Sequence, residues 1–231
     1  MTEKRVSLLK KLVSAVFPRR CAFCGRIVKA GQDVCVSCGK ALPYIGMGAC
    51  PVCGRERKYC RCRKEKFAFE RCTAPFYYEG VAKKGVLRLK FCGRREAAKV
   101  LAAYLALRVA KEYSGIKFDF VTAVPLSAAE KRRRGYNQAE DLGRALALRL
   151  SIPYTEALVK PRDIKPQHSC TSAERERNVV GAFEARSVPK GVAVLLVDDV
   201  VTTGATLSEC AAELKKAGAS SVFCAAAARV K

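Results

Sequence analysis

The chain has 231 residues, half of them hydrophobic, and 44 basic against 21 acidic side chains give it a formal net charge of +23. That length holds one medium domain with a packed core plus a small module, and the apolar half excludes a disordered polyelectrolyte. The longest apolar runs, such as LAAYLAL at 101–107, fall far short of the ~20 residues a bilayer requires, so no stable membrane insertion is expected.

Taken in chain order, MTEKRVSLLKKLVSAVFPRR spaces its apolar residues between lysines. It lacks the uninterrupted apolar core of a signal peptide. Residues 1–20 are predicted to be an amphipathic segment, and a cytoplasmic location is expected. Residues 1–66 carry net +12 and residues 67–231 net +11. The charge is densest at the N-terminal end and favours polyanionic partners.

Eight of the 13 cysteines lie between Cys21 and Cys62. CAFCGRIVKAGQDVCVSCGK is C-x2-C-x10-C-x2-C, and CPVCGRERKYCRC is C-x2-C-x6-C-x-C. A C-x2-C pair folds two thiolates around one side of a tetrahedral ion, and a second pair completes it. Zinc is therefore predicted at Cys21, Cys24, Cys35 and Cys38, and again at Cys50, Cys53, Cys60 and Cys62. The spacing leaves interleaved pairing between the two sets open. Gly25, Gly39 and Gly54 follow the second cysteine of three pairs, where a tight, left-handed turn suits glycine. Four thiolates per ion leave no open position for catalysis, so residues 21–66 read as a cysteine-rich double zinc-ribbon module held together by metal. Arg55, Arg57, Lys58, Arg61, Arg63 and Lys64 are interspersed, either as a solvated face or as a contact for nucleic acid or protein.

Residues 67–231 are predicted to form the larger domain. Strand character in RCTAPFYYEG at 71–80 precedes helical spacing from Glu96 to Tyr113, with a stop at Gly115. A buried strand is expected in FDFVTAVPL at 118–126 and a helix in NQAEDLGRALALRLSIP, ended by Pro153. VAVLLVD is a strand, TLSECAAELKKAGA a helix with Leu207, Cys210, Ala211 and Leu214 on one face, and SVFCAAAA a last strand. Strands alternating with helices, with continuous apolar strands, predict an α/β fold whose parallel sheet is flanked by helices on both faces. Cys92, Cys170, Cys210 and Cys224 read as plain buried or loop thiols.

In such sheets ligands sit beyond the carboxyl ends of the strands. There the chain reads Asp198-Asp199-Val200-Val201-Thr202-Thr203-Gly204-Ala205-Thr206 and then a helix. Backbone N–H groups at a helix N-terminus and three threonine hydroxyls suit a phosphate. No Gly-Lys-Ser/Thr or G-x-G-x-x-G pattern is present there. Two adjacent carboxylates do not serve an anion, but they accept hydrogen bonds from vicinal hydroxyls. A ribose diol beside a 5-phosphate satisfies both halves.

VLLVDDVVTTGAT resembles the phosphoribosyl pyrophosphate (PRPP) motif of type I phosphoribosyltransferases. The paired cysteines, LKFCGR at 89–94, VPL with RRRGYNQAEDL, and KPQHSCTSAERERNVVGAF make the wider chain similar to the ComF family, associated with DNA uptake in natural competence. The resemblance implies a type I phosphoribosyltransferase-like sheet and a magnesium-dependent use of PRPP with an unknown acceptor. It implies that Asp198 and Asp199 grip the ribose hydroxyls and that Thr202, Thr203, Gly204, Ala205 and Thr206 bind the 5-phosphate. Lys131, Arg132, Arg133, Arg134 and Gly135 stand at the place of the pyrophosphate loop. Gln167, Arg175 and Asn178 match the flexible loop, with Arg175 counted beside the two aspartates as catalytic; His168 reads as a solvated loop residue, with proton donation as its alternative. The alternative for the whole chain is a non-catalytic competence factor that binds single-stranded DNA. The ribose-phosphate site would then be regulatory or take a DNA end, Phe23, Tyr44 and Tyr59 would be stacking surfaces, and competence-machinery proteins would be partners.

Overall fold

The computed structural model describes residues 18–46, 48–62, 67–91, 95–161 and 180–231. Its centre is a parallel sheet in the order β1-β7-β6-β3, where β1 is Arg71–Thr73, β3 Phe120–Ala123, β6 Ala193–Val201 and β7 Ser221–Arg229; β2, Phe76–Tyr77, also pairs with β7. A separate antiparallel pair joins β4, Leu158–Val159, to β5, Glu184–Ala185. The described helices are α1 (Val36–Lys40), α2 (Gly80–Phe91), α3 (Arg95–Glu112), α4 (Ala128–Arg134), α5 (Gln138–Leu150) and α6 (Ala205–Lys216).

The strand alternation explains why both faces are covered. Leu195 and Val197 of β6, with Phe223 and Ala225 of β7, face the core shared with α2, α3 and α5. Val194 and Leu196, with Val222, Cys224 and Ala226, face the core shared with α6. Successive side chains point to opposite faces, so an unbroken apolar strand has to be buried twice. Each of these leucines is fully buried, a gain of about 1.5–3 kcal/mol apiece.

Local chemistry sets the helix ends. Asn137 caps α5, its side chain accepting from Ala139 N at 3.0 Å and Glu140 N at 3.4 Å. Ser127 and Glu130 form a reciprocal capping box at α4, which satisfies two otherwise orphaned donors. The segment at 128–134 is helical, held by that capping box, and puts Arg132 to Arg134 at a helix end. The observed elements differ from expectation in two places. β6 continues through both aspartates to Val201, because it stays paired with β7 along Asp198↔Ala226 and Val200↔Ala228. Gly80 does not close a strand but opens α2.

The cysteine-rich region packs on this frame. Cys21, Phe23, Cys38 and Leu42 join the core of α2 and α3. Phe23 is fully buried, its ring edge-on to Phe76 and Tyr104, so its predicted role as a stacking surface for bases is corrected. Tyr44 is half exposed but its ring lies 5.1 Å from Phe76.

Candidate functional site

All strands of the main sheet run the same way, so the ends of β3, β6 and β7 open on one side of the molecule. Ala123 is level with Val197, and Val124 donates to the Val197 carbonyl at 2.9 Å. β6 therefore runs four residues past β3, and Asp198 and Asp199 stand on this protruding end. Asp199 is buried and Asp198 half-buried, with Asp198 Oδ1 accepting from the Asp199 N–H at 2.7 Å. That bond aligns one carboxylate along the backbone of the next residue.

The turn that follows reverses at Gly204, whose φ of 92° is left-handed and suits glycine alone among common residues. A Cβ there would also come within 3.1 Å of the Phe67 ring. Thr203 Oγ1 accepts from Ala205 N at 3.3 Å, and the helical ladder starts with Ser208 N to the Gly204 carbonyl at 2.9 Å. The N-terminus of α6 thus lies directly beyond the acid pair. Ala68 N donates to Ser208 Oγ at 2.9 Å, bracing the first turn of α6 from below.

The positive segment after β3 sits on α4. Lys131 pairs with Glu140 at 3.4 Å and Arg134 Nη1 donates to Gln138 at 3.2 Å, while Arg132 and Arg133 are exposed and Gly135 closes the helix at φ 78°. Glu130, beneath them, is partly buried, which would raise its pKa. The Lys160 ammonium at 2.8 Å and the Ser127 N–H outweigh that and hold the carboxyl below its ordinary range.

The eight cysteines form two separate sets, Cys21/Cys24/Cys35/Cys38 and Cys50/Cys53/Cys60/Cys62, with all sulfurs of a set within 4.8 Å of one another. This settles the pairing that spacing left open. Sulfur separations of 3.7 Å for Cys24–Cys35, 3.7 Å for Cys50–Cys62 and 3.5 Å for Cys53–Cys60 match the edge of a zinc tetrathiolate tetrahedron, about 3.8 Å for Zn–S bonds near 2.3 Å. The Ser37 hydroxyl is the main cause lowering the Cys35 thiol to about 6, and the Cys62 N–H the main cause lowering Cys60 to about 7. Burial instead pushes Cys72 up to about 11 and Cys210 and Cys224 well above the ordinary thiol, which leaves them inert.

The knuckles repeat. Cys21 N donates to Arg26 O at 2.8 Å and Gly25 N to Cys21 O at 2.9 Å; Cys50 N donates to Arg55 O at 2.6 Å and Gly54 N to Cys50 O at 2.8 Å. Gly25 and Gly54 have φ of 80° and 74°, whereas Gly39 lies inside α1 and needs no left-handed turn. Arg55 then leaves its knuckle. Its Nη2 donates to the Thr202 carbonyl at 2.7 Å and its Nε to the Val230 carbonyl at 3.1 Å.

The phosphoribosyl transferase domain model matches residues 98–231, and the double zinc ribbon domain model matches residues 12–74. Competence protein F of Haemophilus influenzae is 32% identical over 219 residues, covering 87% of this chain and 93% of that protein. The chain belongs to the ComF family. It is also similar to DNA utilization protein YhgH of Salmonella typhimurium, 31% identical over 206 residues and covering 87% and 86% of the two chains, and to competence protein ComFC of Bacillus subtilis, 28% identical over 210 residues and covering 85% of each. In this ComF-family chain the type I phosphoribosyltransferase-like sheet carries the double zinc ribbon at its N-terminal side, and its two four-cysteine clusters suit two zinc ions. No described helix is long and apolar enough to cross a membrane.

Gln167, His168, Arg175 and Asn178, like Cys92 and Cys170, lie outside the described residues. Phe67, Ser208 and Arg229 are not among the predicted site residues, and Arg55 is predicted only as one of a charge run. A signal for two of them was present. The knuckle motif repeats as CAFCGR and CPVCGR, and an arginine ends the apolar strand VFCAAAAR.

Proposed function

We propose that this ComF-family chain binds PRPP with magnesium at the end of β6 and transfers its phosphoribosyl group. The observation that carries the reading is the acid pair on a protruding strand end followed at once by a left-handed glycine and the N-terminus of α6. Asp198 and Asp199 accept hydrogen bonds from the ribose hydroxyls, and Thr202, Thr203, Gly204, Ala205 and Thr206 receive the 5-phosphate. Carboxylates and phosphate oxygens are the donors magnesium prefers. As an acceptor nucleophile bonds to ribose C1, the C1–O bond breaks and pyrophosphate leaves with the electron pair. Positive charge then gathers on the ring and negative charge on the leaving group. The carboxylates favour the first. Lys131 to Arg134 with Gly135, and Arg175 from the segment that includes Gln167 and Asn178, favour the second. We place the chain in the cytoplasm, a reducing compartment that suits cysteines set in pairs at metal-ligand spacing.

Calorimetry of the zinc-loaded chain with PRPP and magnesium tests this. Binding that falls at least tenfold in Asp199→Asn is expected, and absence of binding by the wild type sinks the reading. A screen of bases and amines for PRPP-dependent pyrophosphate release identifies the acceptor.

A second reading rests on a separate cleft of about 450 Å³ lined by Arg55, Lys58, Tyr59, Arg61 and Lys231. Four cations around one aromatic ring suit a single-stranded nucleic acid, with the phosphates on the cations and a base on the ring. Competence and DNA utilization are in the names of relatives, and these names support a reading with a DNA uptake role and competence-machinery partners. Single-strand affinity that falls steeply with salt, and falls further in a Lys58→Glu, Arg61→Glu double variant, is expected. Affinity indifferent to both removes this cleft from the reading.

A further inference from the structure

The reading of Thr202–Thr206 as the phosphate-holding turn underlies one further step: we infer that the second cysteine cluster and that turn form a single coupled unit, with Arg55 as the positioning residue between them. Arg55 is two residues beyond the ligand Cys53, and its carbonyl accepts from the N–H of the ligand Cys50 at 2.6 Å. Its backbone is therefore part of the knuckle. Its side chain reaches the first residue of the turn, at the Thr202 carbonyl, and also the chain beyond β7, at the Val230 carbonyl. A guanidinium is a rigid planar fork, so two bonds from one such group fix the turn relative to the cluster. Arg26 occupies the same place in the first knuckle and makes the same backbone bond, but its side chain is exposed.

Arg229 gives an independent reason for the coupling. It is 1% exposed, its Nη1 lies 3.7 Å from Cys72 Sγ, and its Nε and Nη2 have no hydrogen-bond partner among the described residues. It stands level with Val201, immediately before the turn. The Cys72 carbonyl lies where a Cβ on Gly54 would come within 2.6 Å, so the second knuckle presses on the same strand that Arg229 touches. Arg229 thus joins the strand under the second knuckle to the residue that precedes the turn. By linkage, a ligand held on the turn also holds the metal.

Hydrogen exchange of the full zinc-loaded chain without ligand reads the tie directly. Arg55→Ala is expected to speed exchange across residues 202–206 by about tenfold, a loss of about 1.4 kcal/mol of protection. Arg55→Lys should be intermediate, Arg26→Ala should leave the turn unchanged, and zinc content should stay at two in each. Unchanged exchange in Arg55→Ala overturns the inference. The reciprocal arm challenges the wild type with a zinc-selective chelator that spares magnesium, followed by thiol alkylation and peptide mass analysis. PRPP with magnesium should slow alkylation at Cys50–Cys62 and leave Cys21–Cys38 unaffected; equal rates with and without PRPP in a chain that binds it overturn the coupling. If calorimetry shows no PRPP binding, the phosphate reading falls, and the ligand-free exchange result alone decides the tie.

Discussion

The two cysteine clusters share one knuckle geometry and dock with a different balance of apolar and polar contact. The first docks through carbon. Phe23 is fully buried against Phe76 and Tyr104, and a Cβ on Gly85 would come within 2.5 Å of its ring. The second has a small aromatic contact, Tyr59 edge-on to Tyr77, and is otherwise tied by polar groups: Arg55 on two carbonyls, Glu56 Oε1 on the Gly46 N–H at 3.0 Å, and Arg229 beside Cys72. Apolar contact is non-directional and supplies stability in bulk. Hydrogen bonds from a rigid fork supply little net energy but fix position. A duplicated motif thus gives one cluster that anchors the ribbon and one that reports on the end of the sheet.

The largest expected effect breaks the first dock. Phe23→Ala should cost about 3–5 kcal/mol, as large-to-small changes at buried aromatics do. A denaturant midpoint measures it, with zinc kept saturating. A loss under about 1 kcal/mol would mean that the first cluster is not anchored by its apolar side chains. Gly54→Ala is next. Its φ of 74° is unfavourable to alanine, and the new methyl meets the Cys72 carbonyl. A cost of about 1–3 kcal/mol is expected from strain and overpacking, together with faster amide exchange at the 202–206 turn. Phe23→Ala at matched destabilisation should not single out that turn. If both variants loosen it equally, the division between anchor and tie fails.

Much of the frame was legible because its signals are periodic or stoichiometric. Val194 to Val197 are buried on both faces, and Leu207, Cys210, Ala211 and Leu214 fall on one buried helix face as their spacing required. The eight clustered cysteines fit two sets of four. Three kinds of information were out of reach. Pairing of the cysteines is a long-range fact that spacing does not contain. The length of β6 depends on its neighbour β7, which stays paired past the aspartates. Phe23 looked like a surface aromatic because its partners Phe76 and Tyr104 are distant in sequence. Arg55 was hidden for the same reason: within a run of cations, nothing local marks the one whose partners are 147 and 175 residues away.

The smallest effect sharpens the polar dock. The Gly46 N–H is the main cause holding the Glu56 carboxyl below its ordinary 4.5, with the Lys58 ammonium at 3.1 Å adding to it. A carboxyl depressed in the folded state contributes stability that is fully present above its unfolded pKa and is lost as pH falls through the lower folded value. The contact between residue 46 and the second knuckle should therefore hold at neutral pH and loosen only below 4.5. The Gly46 amide resonance is the probe. Its shift should titrate with a midpoint below 4.5, and Glu56→Gln should abolish that step while leaving the Phe23 environment unmoved. A midpoint at or above 4.5 would show that Glu56 is not held by Gly46 in solution. The polar tie of the second knuckle would then rest on Arg55 and Arg229.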